Sequence, residues 1–138
     1  MTPKTLARKV AQFALTKKAS DVVIADLRKI SSVADYFVIC SAGSDTQVKA
    51  IADAVITGMQ RVGHAVWHNE GYSHLNWVLL DYVDVVVHIF QREIRSYYNL
   101  ERLWGDAKFE YVQDEGEKIT NQKLEKAGSS RLSKKRST

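Results

Sequence analysis

Asp81 and Asp84 are the carboxylates best placed to act together. They stand between two apolar runs, WVLL at 77–80 and VVVHIF at 85–90. If the runs pair as a hairpin turning at Tyr82 and Val83, the two aspartates face each other. Facing like charges repel, so such a pair would suit a divalent cation; the simpler expectation is that both bond turn amides. His64, His68, His74 and His88 invite a metal reading. His64 and His68 have the spacing of a helical metal pair, but at ~3.3 Å per residue an extended segment carries them too far apart. There is no HExxH and no Cys/His cluster. Cys40 lies in an apolar run with no basic neighbour to stabilise a thiolate, so an inert core thiol is expected. The Gly43-Ser44 turn entering a helix could hold a phosphate, as in nucleotidyltransferases. Those enzymes hold metals on carboxylates two apart in a strand. Here the matching segments read Val23-Ile24-Ala25-Asp26 and Asp35-Tyr36-Phe37, without such a pair. No GxSxG elbow is present. No catalytic, cofactor or metal set is expected.

The elements that position these residues follow from periodicity. Short β-branched runs around polar turn residues are paired strands. In the hairpin drawn above, Leu80 faces Val85, Leu79 faces Val86, Val78 faces Val87 and Trp77 faces His88. Alternation then puts Val78, Leu80, Val85 and Val87 on one face and Trp77, Leu79, Val86 and His88 on the other. Both faces are apolar, so both need cover: one from the chain, the second from a partner. Val83 is a poor turn residue, because a tight hairpin wants positive φ; the turn is either longer than drawn or strained. After Phe90 the period becomes helical through Ile94, Tyr97, Tyr98, Glu101 and Trp104, with Gly105 as the stop.

Upstream, Thr2-Pro3 starts a helix. Segments 21–28 (DVVIADLR) and 35–40 (DYFVIC) are strands. Ser44 to Gln47 is a capping box opening a helix that Gly63 ends. Segment 64–69 is a candidate short strand, and 108–112 a last edge strand. The expected architecture is α/β (α+β), a mixed sheet of about five strands flanked by helices. Residues 1–112 form the domain, and 113–138 a polar basic tail expected to be disordered.

Net charge is +4 over 138 residues. Residues 113–138 carry seven Lys/Arg against four Asp/Glu, and residues 1–112 thirteen against twelve. The near-neutral domain argues against a dedicated nucleic-acid fold; the tail offers weak, salt-sensitive attraction to RNA. One cysteine, no membrane-length apolar run and no secretory leader point to the cytoplasm.

DYFVICSAGSDTQVKAIAD, then EG, WVLLDYVDVVVHIF and SYYNLERLWGDA, resemble in order the ribosomal silencing factor family, also called Iojap-like, over roughly residues 5–112. The family usually has Gly where this chain has Val83. The resemblance implies a fold related to nucleotidyltransferases without their catalytic carboxylates, and a non-enzymatic role. Such proteins bind the large ribosomal subunit through its ribosomal protein fourteen, block joining of the small subunit and lower translation when nutrients are scarce. They are also linked to large-subunit biogenesis, and many form homodimers. Docking is expected through Trp77, Asp81, Tyr82, Asp84, Arg95, Tyr97, Tyr98 and Glu101, with the aromatics as anchors and the charges setting register. The alternatives are a divergent nucleotidyltransferase-like enzyme, and an RNA-contacting assembly factor working through the tail.

Overall fold

The computed structural model describes residues 1–98, 107–113 and 118–119, with backbone alone at 96–98 and 118–119. Helix α1 (Pro3–Leu15) starts where the Thr2 side chain accepts the Thr5 N–H at 3.2 Å. Its apolar stripe, from Leu6 through Val10 to Leu15, is buried. Helix α2 (Asp45–Arg61) begins with the Ser44 hydroxyl accepting the Gln47 N–H at 3.1 Å. The Gln47 side chain does more than close the expected box. Its oxygen accepts from the Gly43 N–H at 2.7 Å, while its nitrogen donates to the Lys17 and Lys18 carbonyls at 3.2 and 3.1 Å. One side chain thus ties the start of α2 to the end of α1. At the other end, Gly63 at φ +93° and His64 donate back to Gln60 and Met59, which satisfies the last carbonyls.

The strands are β1 (Ser20–Asp26), β2 (Tyr36–Ala42), β3 (His68–Glu70), β4 (Trp77–Asp81), β5 (Val85–Gln91), β6 (Lys108–Val112) and β7 (Lys118–Ile119). They form one sheet in the order β3-β4-β5-β2-β1-β6-β7. Only β2 and β5 run parallel; the other neighbours are antiparallel. The sheet is mixed, as expected, and wider than about five strands because three-residue β3 and two-residue β7 extend its edges.

Alternation sorts the strands into two faces. Val22, Ile24, Val38, Cys40, Val78, Leu80, Val87 and Ile89 join the main core with α1 and α2, so both long helices cover one face. The opposite face carries Val23, Ala25, Phe37, Ile39, Trp77, Leu79, Val86, His88 and Phe90. Against it stands α3 (Arg92–Tyr98), which starts directly after β5 and contacts β5 and β2. The expected continuation of this helix to Trp104, and most of the tail, lie outside the described residues.

The β4–β5 register corrects the drawn hairpin. Trp77 pairs with Phe90, Leu79 with His88, Leu80 with Val87 and Asp81 with Val86. The turn centres on Val83 and Asp84, with Tyr82 N–H bonded to the Val85 carbonyl at 2.8 Å. The slip is two residues, so the faces survive; a one-residue slip would have inverted them. The cause is local. Asp84 N–H donates to the Tyr82 carbonyl at 3.0 Å across Val83, which sits at φ 77°. This is a γ-type turn at positive φ, a strained conformation for a β-branched residue. Asp81 supports it by accepting the Val83 N–H at 2.7 Å. The Val83 side chain is exposed and makes little packing. Val83→Gly should therefore stabilise the protein by about 1 kcal/mol, the strain of roughly 1–3 kcal/mol less the added freedom of the unfolded chain. Urea denaturation reads this directly; equal or lower stability would contradict the strain.

Candidate functional site

Trp77 is the centre of the second face. It is half-buried at the start of β4, and its ring stacks on Phe90, the residue opposite it, with centroids 4.8 Å apart. Its Nε1–H donates to Nδ1 of His88 at 3.1 Å. That bond fixes the histidine: Nδ1 must be the unprotonated nitrogen, so a neutral ring carries its proton on Nε2. His88 is buried between Trp77 and Phe37, whose ring meets it edge-on at 4.5 Å. Its Nε2 has no hydrogen-bond partner among the described residues. Burial drives its pKa from 6.5 down to about 4. The result is a row of rings, Phe37, His88, Phe90 and Trp77, in which a neutral histidine locks the tryptophan's orientation.

The segment leading into β4 is pinned from both sides. The Tyr72 hydroxyl donates to Asp53 on α2 at 3.0 Å, and burial together with that bond pushes its pKa up. The Gln91 side chain donates to the Leu75 carbonyl at 3.2 Å, and the Gln91 N–H to the Asn76 carbonyl at 2.9 Å. Trp77 is thus held by its own ring partners and by the backbone that delivers it.

The other expected site residues separate. Asp81, half-buried, stands on the Trp77 face opposite Val86, with its carboxylate on the turn amide. Asp84 is exposed in the turn, so the two do not face each other as drawn. Tyr82 points the other way, into the core beneath α2. Its hydroxyl is buried without a partner among the described residues, and burial pushes its pKa up to about 12. Arg95 is buried as well. It donates to the Asp21 carbonyl at 2.6 Å and to the Ser41 hydroxyl at 2.9 Å. Asp21 sits at φ 51°, where the β1–β2 register shifts, so Arg95 ties α3 to that irregularity. Tyr97 and Tyr98 fall on α3, but their side chains, and all of Glu101, lie outside the description. Cys40 is fully buried, its thiol pushed up to about 12 by burial, consistent with an inert core residue. His68 lies on edge strand β3 bonded to Glu70 at 2.8 Å.

Sequence reasoning missed the partners of Trp77. Drawing the turn one residue early, a register slip of two, hid Phe90, and Phe37 comes from a parallel neighbour that no local pattern announces. It also missed Trp67, which stands 71% exposed just before β3. A groove lined by Phe13, Lys17, Ala54, Gly58, Arg61 and Val62 lies on the helical side of the sheet, away from Trp77.

The family model described as "Ribosomal silencing factor during starvation" matches residues 1–138. A ribosomal silencing factor of Bacillus subtilis is 46% identical over 107 residues, spanning 78% of this chain and 91% of that protein. One from Halalkalibacterium halodurans is 48% identical over 91 residues, spanning 66% and 78%. A crystal structure of a Chromobacterium violaceum protein superposes with a TM-score of 0.74 at 30% identity, covering 76% of this chain and 88% of that one.

Proposed function

The chain belongs to the ribosomal silencing factor family, and we propose that it represses translation under nutrient limitation by docking on the large ribosomal subunit through ribosomal protein fourteen. A domain seated there occupies space the small subunit needs, so the subunits do not join. The action is steric and needs no bond made or broken, and the protein is not an enzyme. It works in the cytoplasm and is a homodimer when free. Residues 113–138 add weak ribosomal RNA contact.

The observation that carries this reading is Trp77, a large aromatic half-buried on a sheet face with its orientation fixed by His88 and Phe90. A side chain already ordered loses little entropy on binding, which is what makes aromatic anchors effective. Leu79 extends the apolar surface, and Asp81 supplies a charge at its rim. Tyr82 and Arg95, being buried, act from beneath, the one packing under the turn and the other holding α3. Tyr97, Tyr98 and Glu101 are assigned to the surface on residue type alone.

Co-sedimentation with separated subunits tests the reading. Wild type should pellet with large subunits and not with small ones, and the binding should persist at moderate salt. Trp77→Ala should weaken it by about 2 kcal/mol, near thirtyfold. Undiminished binding by the variant would remove this face from the interface. Absence of any binding by wild type would remove the function.

A further inference from the structure

The described residues expose six large apolar side chains, and four of them gather at one end of the sheet. Trp67 (71% exposed) donates its backbone N–H to the Asp81 carbonyl at 2.9 Å, beside the β4–β5 turn. Val83 (58%) is the apex of that turn. The Asp84 carbonyl accepts from the N–H groups of Asp35 and Tyr36 at 2.8 and 3.1 Å, which brings the β1–β2 connection alongside with Val33 (79%) and Ile30 (38%). At ~4.8 Å per strand, the row from β3 to β2 is about 15 Å wide. Scattered exposed apolar residues need no explanation, but a contiguous set rimmed by polar groups marks an interaction surface.

The charge at this end is specific. Asp35, Asp81 and Asp84 border the apolar row, and none of the three takes part in an ion pair among the described residues. Of the two cations on the same connection, Arg28 is held by Asp26 at 2.7 Å, and exposed Lys29 offsets only one of the three carboxylates. A phosphate backbone would be repelled here, whereas a cationic polypeptide would be attracted. The strain at Val83 points the same way: the chain keeps a β-branched side chain at positive φ although it packs against little.

We propose that this end of the sheet is a second contact with the large subunit, taking a basic ribosomal-protein segment that presents an apolar or aromatic side chain between its cations. The inference rests on the ribosome-docking reading above, and it adds a site beside the Trp77 face that shares Asp81 and Asp84 with the docking set expected there.

The test uses the full chain, purified large subunits and isolated ribosomal protein fourteen. The double variant Trp67→Ser/Val83→Gly changes two exposed residues, one of them toward a less strained turn, and circular dichroism confirms that it folds. It should bind large subunits about tenfold more weakly and isolated protein fourteen as wild type does. Asp84→Asn should weaken subunit binding in the same direction, with a smaller effect as salt rises. Unchanged subunit binding by the double variant overturns the proposal. Equal weakening toward isolated protein fourteen overturns it too, since the patch would then belong to the first interface. Loss of self-association in sedimentation equilibrium, with subunit binding intact, assigns the patch to a second copy of the chain instead. If subunit binding is weakened by the variant but competed by free ribosomal RNA, the partner is RNA and the proposal falls. Wild type binding neither probe defeats the docking reading, and this inference with it.

Discussion

Gly71→Ala should destabilise the domain by about 4 kcal/mol, lowering Tm by roughly 15 °C or more. Gly71 sits at φ +98°, a conformation that side chains other than glycine's rarely adopt. Strain alone accounts for roughly 1–3 kcal/mol. The rest is steric: an added Cβ would fall on the Trp77 carbonyl oxygen, with the Val78 Cα 3.1 Å away. Those are backbone atoms of β4, so relief requires moving the strand. The Gly71 carbonyl also accepts the N–H groups of His74 and Leu75, at 3.3 and 2.9 Å, which fixes the approach to β4. The tryptophan is therefore the part of the molecule that must shift. Thermal unfolding with tryptophan fluorescence reads both effects. A Tm within about 3 °C of wild type, with unchanged emission, would show that the turn yields without disturbing Trp77.

The second large effect is a loss of stability in mild acid. Unfolded, His88 titrates at 6.5; folded, burial holds it near 4. Between those values the unfolded chain binds the proton and the folded one does not, so stability rises with pH across that window and levels off above it. The full penalty is about 3 kcal/mol, at 1.36 kcal/mol per pKa unit. About 2 kcal/mol of it should be lost between pH 7 and pH 5, before most carboxylates titrate. Protonation also removes the lone pair that accepts the Trp77 Nε1–H, so ring orientation and stability fail together. Urea denaturation from pH 7.5 to 5, for wild type and His88→Phe, isolates the contribution. The variant's stability should change less over this range. Matching slopes would mean that His88 is not the acid-sensitive group.

Much of this fold was legible in the sequence because its signals are local. Thr2-Pro3, Ser44-Gln47 and Gly63 each mark a helix end through the bonds their own side chains or backbone must make. The two faces of β4 and β5 follow from alternation alone, and they withstood an error of two residues in register. What failed depended on contacts that sequence spacing does not encode. The turn was drawn one residue early, on Tyr82 and Val83; the strain expected at Val83 is present, and Asp81 and the Tyr82 carbonyl hold it there. Tyr82 and Arg95 were read as surface groups from their types. Tyr82 shares the parity of Leu80 and goes inward, and the acceptors of Arg95 on Asp21 and Ser41 are more than 50 residues away in sequence. Phe37 reaches His88 through a parallel pairing that no hairpin pattern announces. The site was thus half visible: its anchor, Trp77, could be named, but the ring partners that fix it could not.

The central claim is that the protein, once on the large subunit, keeps the small subunit away. Light scattering during subunit joining measures this most directly. Large subunits are saturated with protein before small subunits are added. The account predicts that the joined fraction falls in proportion to large-subunit occupancy, and that Trp77→Ala at the same concentration leaves joining near its uninhibited level. Full joining on large subunits that sedimentation shows to be saturated with wild-type protein would contradict it.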